Sequence, residues 1–245
     1  MQNTKKRRAK EIDFLEGPLT RNILLFTLPV MATGVLQFLY NASDSAVVGW
    51  LIGRDALGAV SSTGALSNLI TGLFIGLSVG ASVSVSHAIG SRRFDDAHDT
   101  VQTSITLSCI LGILVAVFGF FACKPLLELM GTVEECIDQS TRYMRIIFLG
   151  IPAQMVYNYG TSILRANGDT RHPLIFLVIS GAVNVVLNIT LVFFFRDVWG
   201  VAVATIASQY LSAFLTVRLL CRIDGCCRLA LAHLYIKRDK LVKIL

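Results

Sequence analysis

One carboxylate stands apart from every other ionisable group in this chain. Asp44 is the single charged residue between Ile23 and Ile52, a run of roughly 30 residues, whereas about 20 apolar residues let a helix cross a bilayer. An acid inside such a span costs about 2.5–3.5 kcal/mol on the insertion scale, so it is rare and functional by default. Gln37, Tyr40 and Asn41 precede it by seven, four and three positions, which puts all four polar groups on one helical face. Pro29, fifteen residues before the acid, removes a backbone hydrogen bond within the same span and predicts a helix bend there. The chemistry open to a lone intramembrane carboxylate is uptake and release of a proton or a small cation. The rest of the chain is expected to build a wet cavity around it.

Other polar residues recur at helical spacing in later apolar runs. Gln154, Tyr157, Asn158 and Thr161 form one stripe, Ser180, Asn184 and Asn188 a second, and Thr205, Ser208, Gln209 and Ser212 a third. Stripes of this kind predict one shared interior, although asparagines also serve as hydrogen-bonding glue between membrane helices, worth about 0.6 kcal/mol. Gly64, Asn68, Gly72, Gly76, Gly80, Ser84 and Ala88 place a small or polar residue at every fourth position of the second run. In lipid that pattern predicts close approach of another helix.

The elements that must position these groups follow from composition. The chain is 54% hydrophobic and only 16% charged, its mean hydropathy is +0.65, and its charges cluster between long apolar runs. This predicts an all-α, polytopic membrane protein. Six spans are expected, near Ile23–Ile52, Leu57–Ile89, Val101–Ala122, Tyr143–Leu164, Pro173–Phe195 and Val201–Cys221. Residues 1–20 then form a basic N-terminal tail, 21–221 a six-helix lobe, and 222–245 a linker. Placing both termini in the cytoplasm assigns seventeen Lys and Arg residues to the inner side and five to the outer, as the positive-inside bias requires. A multi-pass protein of the cell membrane is therefore expected. The same distribution accounts for the net charge of +6 without a nucleic-acid partner.

Between the third and fourth spans, the segment from Lys124 to Arg142 alternates apolar and acidic residues and reads as a short helix on the outer surface. The start carries basic residues followed by acids and a run too long for a cleavable signal peptide. Six cysteines form no C-x-x-C pair, and His87 and His98 lack metal-ligand spacing. The sequence holds no H-E-x-x-H and no G-x-S-x-G, so an intramembrane enzyme is set aside.

Five fragments together resemble a known family. They are Leu28-Pro29-Val30 fifteen residues before Asp44, Gly72 to Ala88 running into Gly90, Ser162 to Arg171 with Pro173, Asn184-Val185-Val186-Leu187-Asn188, and Gly200 to Thr205. In this order they look like the first half of a multidrug and toxic compound extrusion (MATE) transporter, from about Gly17 to the C-terminus. The resemblance implies one lobe of a two-lobed, twelve-helix antiporter that exports organic, chiefly cationic, compounds as protons or sodium flow inward. It implies no cofactor beyond the coupling ion. It carries an ion-coupling role to Asp44, with Tyr40, Asn184, Asn188 and Thr205 grouped around it, and a bend to Pro29. Sodium would be held by Asp44, Asn184 and Asn188. Gln37, Asn41, Gln154, Tyr157, Asn158, Ser180, Ser208 and Gln209 are candidates to line the cavity. Some members of the family carry a second carboxylate where this chain has Asn188, which weakens the case for sodium.

The alternatives are a flippase for lipid-linked saccharides of the same superfamily and a half-protein that does not transport. Partners would be membrane lipid, small-molecule substrates, and a second six-helix lobe or a second copy of this chain. The stretch from Lys237 to Leu245 parallels the entry to the first span and reads as the approach to a second repeat.

Overall fold

The computed structural model describes residues 19–51, 53–132, 134–195, 198–223, 225–230 and 235–244. Most of the basic N-terminal tail lies outside these. Six long helices follow one another: α1 Leu19–Leu51, α2 Arg54–Gly90, α3 Phe94–Leu129, α4 Glu134–Ala166, α5 Arg171–Phe195 and α6 Val198–Arg222. A short helix, α7 Arg238–Ile244, ends the described chain. The all-α class and the six-helix plan agree with the expectation.

The connections are tight, and their chemistry explains where the helices stop. Gly53 (φ 126°) breaks α1 from α2 in a conformation closed to side chains. α3 and α4 both end in a Schellman motif. After α3, Gly131 (φ 73°) donates to Glu128 and Thr132 to Leu127. After α4, Gly168 (φ 84°) donates to Arg165 and Asp169 to Leu164. The Asp169 carboxylate then turns to the start of α5 and accepts the backbone N–H of Arg171 and of His172, each at 3.2 Å. The run Ser162 to Arg171 is thus a helix stop followed directly by a helix start.

Lys124 to Arg142 does not form a separate surface helix. Its first half completes α3 through Leu129, its second half begins α4 at Glu134, and Gly131 makes the turn between them. Amphipathicity there reflects two helix ends meeting at the bundle edge.

α4 is the hub, packing most extensively on α3 and then on α6 and α2, while α5 bridges α6 and α1. Tyr159, Phe148, Met144, Met155 and Ile163 of α4 are fully buried. Among the described residues, α1, α2, α3, α5 and α6 are long and apolar enough to cross a membrane, and α4 is not. The difference has a physical cause: a helix enclosed by protein needs no apolar coat. Lipid-facing helices do, and Leu28, Phe38, Phe118, Phe121, Phe193 and Phe194 stand exposed on α1, α3 and α5.

The close approaches also lie on α4. A methyl group added at Gly112 of α3 would sit 2.7 Å from the Pro152 Cα, and one at Gly160 would sit 2.4 Å from a Thr216 methyl carbon. The predicted stripe on α2 behaves differently. Gly64, Gly72 and Gly76 meet no neighbour within 4 Å, and only Gly80 is crowded, by the Ile244 carbonyl of α7.

The C-terminal segment is fastened to the start of α3. Tyr235 donates to Asp99 (2.5 Å), Lys237 pairs with the same carboxylate (2.5 Å), and Lys240, nearly buried, pairs with Asp96 (2.5 Å). The hydrogen bond to Asp99 holds the Lys237 ammonium above its ordinary pKa.

Candidate functional site

α1, α5 and α6 converge on Asp44, which is 6% exposed. The amide of Asn188 donates to its Oδ1 at 2.5 Å and the hydroxyl of Thr205 faces its Oδ2 at 3.0 Å. Asn188 gives its second amide hydrogen to Asn184 Oδ1 (3.1 Å), and Asn184 in turn donates to Thr205 Oγ1 (3.4 Å). Asn184 and Asn188 are completely buried. Spacing explains the convergence: residues 184 and 188 are one turn apart, so both face α1, and Thr205 projects from the next helix at the same depth.

Two atoms of this cluster are not fully committed. A threonine hydroxyl has one hydrogen to donate, yet Thr205 Oγ1 lies 3.0 Å from both Asp44 Oδ2 and the Val201 carbonyl. Asn188 Oδ1 is buried and has no partner among the described residues, an oxygen free to accept a proton donor or a cation. The cluster offers one carboxylate, two amide oxygens and a hydroxyl, a hard-oxygen set suited to a proton or sodium.

Tyr40 sits one turn before the acid with its ring against Gly181 of α5. Its hydroxyl is buried and, among the described residues, closes no hydrogen bond. α1 runs as a helix through Pro29, whose carbonyl takes the Thr33 hydroxyl at 2.8 Å.

The lining candidates separate into two chambers. The first, about 110 Å³, holds Asp44, Tyr40, Asn41, Gln154, Thr205 and Gln209. The second, about 190 Å³, holds Gln37, Tyr157 and Asn158. Both lie along α1, α2 and α4, one beyond the other, so the single shared interior becomes two cavities in series. Gln154 donates to Thr71 at 3.0 Å and ties α4 to α2 where the chambers meet. Ser180 and Ser208 line neither: each is buried and bonded within its own helix, to Leu177 and Ala204.

Ser67 and Thr71 in the first chamber, and Ser78, Ser162 and Arg165 in the second, are lining residues that the polar stripes did not predict. Ser67, Thr71 and Ser78 share a face of α2 beside the glycine stripe, and that polar spacing was the available signal.

A buried acid on one helix of a membrane bundle is thus held by polar side chains from two others. Residues 29–190 match the family described as MatE, and the chain belongs to that family. It is 32% identical over 193 residues to the probable multidrug resistance protein YoeA of Bacillus subtilis, covering 77% of this chain and 42% of that protein. It is 31% identical over 201 residues to the probable multidrug resistance protein YpnP of the same organism, covering 82% and 45%. Among solved structures, the crystal structure of MATE in the bent conformation superposes with a TM-score of 0.84 at 28% identity, covering 91% of this chain and 50% of that one. The chain therefore spans half or less of the length of these relatives.

Proposed function

We propose that this six-helix unit is the ion-coupling lobe of a cation-driven antiporter that exports organic, chiefly cationic, compounds, with Asp44 as the residue that takes up the coupling ion. The observation that carries this reading is the Thr205 hydroxyl, equidistant between Asp44 and the Val201 carbonyl. An ionised Asp44 draws that hydrogen across to itself. A protonated or cation-bound Asp44 no longer needs it, and the hydrogen returns to Val201 within α6. Loading the acid thereby loosens α1 from α6 while the Asn184–Asn188 pair remains on α5. α1 is the element free to respond, since it touches α2 and α6 only lightly and rests mainly on α5. Pro29 has already removed one of its backbone hydrogen bonds.

Protons are the stronger driver in this reading. A lone carboxylate takes one proton completely, whereas a hard cation prefers more anionic charge than one acid and two amides supply. Both termini face the cytoplasm, by the distribution of basic residues.

The test is Asp44→Asn in the chain joined to the second lobe of one of the Bacillus subtilis relatives, in cells lacking their own exporters. The variant should insert normally and lose drug resistance. Undiminished resistance would overturn the proposal.

A further inference from the structure

Away from the cluster at Asp44, two nucleophilic side chains stand next to each other after α6. Cys226 and Cys227 are thiols, not halves of a disulfide. They occupy the two central corners of a turn in which the Arg228 N–H donates to the Gly225 carbonyl at 3.3 Å. Gly225 has φ 120°, a conformation that side chains resist, and the chain turns on it. The Leu229 N–H then donates to the Leu220 carbonyl at 3.0 Å, and both leucines are buried. The pair therefore sits on a loop pinned at its base to the end of α6. Cys226 is half-buried. Cys227 is buried, with its sulfur 3.7 Å from the side-chain oxygen of Asn167 at the turn between α4 and α5.

Geometry separates the chemistries open to such a pair. Consecutive Cα atoms lie about 3.8 Å apart across a trans peptide, short of the roughly 4.4–6.8 Å that disulfides usually span. A direct bond between the two sulfurs is thus strained, and one atom inserted between them relieves the strain. Zinc is a poor candidate for that atom, because it takes four ligands in structural sites. Among the described residues no group of three or more His, Cys, Asp or Glu could hold a metal ion. Trivalent arsenic needs only two sulfurs and fills its remaining position with a substituent of its own. The thiolate is the attacking form, and positive charge favours it. Arg222 and Arg228, both exposed, flank the pair in sequence.

We propose that Cys226 and Cys227 together bind a trivalent arsenical that carries one organic or hydroxyl substituent. Cys226, the more accessible thiol, reacts first, and Cys227 then leaves Asn167 and closes the ring. Each step exchanges one S–H and one As–OH bond for an As–S bond and a molecule of water. Arsenic stays trivalent throughout, and no oxidant is required. The second bond forms within the chain at high effective concentration, so the pair holds arsenic far more tightly than either thiol alone. The proposal concerns this loop and does not depend on ion coupling at Asp44.

Phenylarsine oxide is the probe, added to the full chain in detergent after reduction with a phosphine and removal of the phosphine. Intact mass spectrometry should show one phenylarsenic adduct per chain, stable to excess 2-mercaptoethanol and removed by 2,3-dimercaptopropanol. Thiols titrated after unfolding in dodecyl sulfate should fall from the six of the sequence by two. Cys226→Ser and Cys227→Ser should each weaken binding at least about a hundredfold, the loss expected when an intramolecular second bond is removed. Cys221→Ser, at the end of α6, should bind as the parent chain does. Circular dichroism and elution volume compare the folds of the variants. If Cys227→Ser does not fold, Cys226→Ser, at the more accessible corner, carries the test. No adduct that survives the monothiol, undiminished binding by either folded serine variant of the pair, or loss of the adduct in a folded Cys221→Ser chain would each overturn the proposal.

Discussion

At the scale of single residues, the proposed ion coupling makes the charge available at Asp44 the selector between proton and sodium. Its neighbours Asn184 and Asn188 are neutral, and Asn188 keeps one buried oxygen that has no partner among the described residues. Exchanging Asn188 for aspartate places a second carboxylate against the first, 2.5 Å from where its amide now donates. Two acids so close cannot both stay ionised without a cation between them. Asn188→Asp should therefore tighten sodium binding at least about tenfold relative to the parent chain, measured with radiolabelled sodium at fixed pH. An unchanged sodium affinity would mean that charge count is not what selects the ion. The group of Asp44, Asn184, Asn188 and Thr205 is legible in the sequence, because one turn of helix separates 184 from 188 and the family pattern supplies the pairing across helices. The division into two chambers is not. Gln37 and Asp44 share a face of α1, and nothing in their spacing tells that Gln154 and Thr71 join α4 to α2 at the level between them.

At the scale of helices, the glycines of α2 and α3 answer to different neighbours. Gly112 of α3 faces a backbone atom of α4 at 2.7 Å from an added methyl group, and backbone cannot step aside as a flexible side-chain tip can. Gly112→Ala should destabilise the folded lobe by about 1–3 kcal/mol, the usual penalty of overpacking. Gly72→Ala meets open space and should be neutral or stabilise by up to about 1 kcal/mol through helix propensity. Thermal unfolding of the two purified variants in one detergent checks the order, and a reversal would show that α3 and α4 do not pack as described. A regular spacing of small residues marks α2 in the sequence, yet the close contacts fall on α4. Periodicity identifies a face able to pack but does not say what it packs against. The same limit hides the central place of α4. Its polar and charged residues make it the weakest span by composition, while tertiary contact makes it the most enclosed.

At the scale of the whole molecule, the exposed faces set what this chain can do alone. Gly72, Gly76 and Asn68 of α2 stand exposed on the side where α7 reaches Gly80, and Asn41 is exposed at the edge of the first chamber. Polar groups turned toward hydrocarbon are costly, so such faces belong against protein or water. The chain covers 42% of one relative and half of a solved transporter chain. In repeat-built carriers the substrate path lies between two units that rock against each other. One six-helix unit supplies a single wall of such a path. The isolated 245-residue chain should accordingly show no ion-driven export of a cationic dye when reconstituted into liposomes as a monomer. If α4 crosses with the other five helices, the chain returns to its starting side, and two copies can share an orientation around an axis normal to the membrane. Export that appears only at densities where cross-linking detects dimers would assign the second wall to a second copy. Export by a demonstrated monomer would show that one lobe encloses a complete path, and the two chambers in series along α1, α2 and α4 would then be that path.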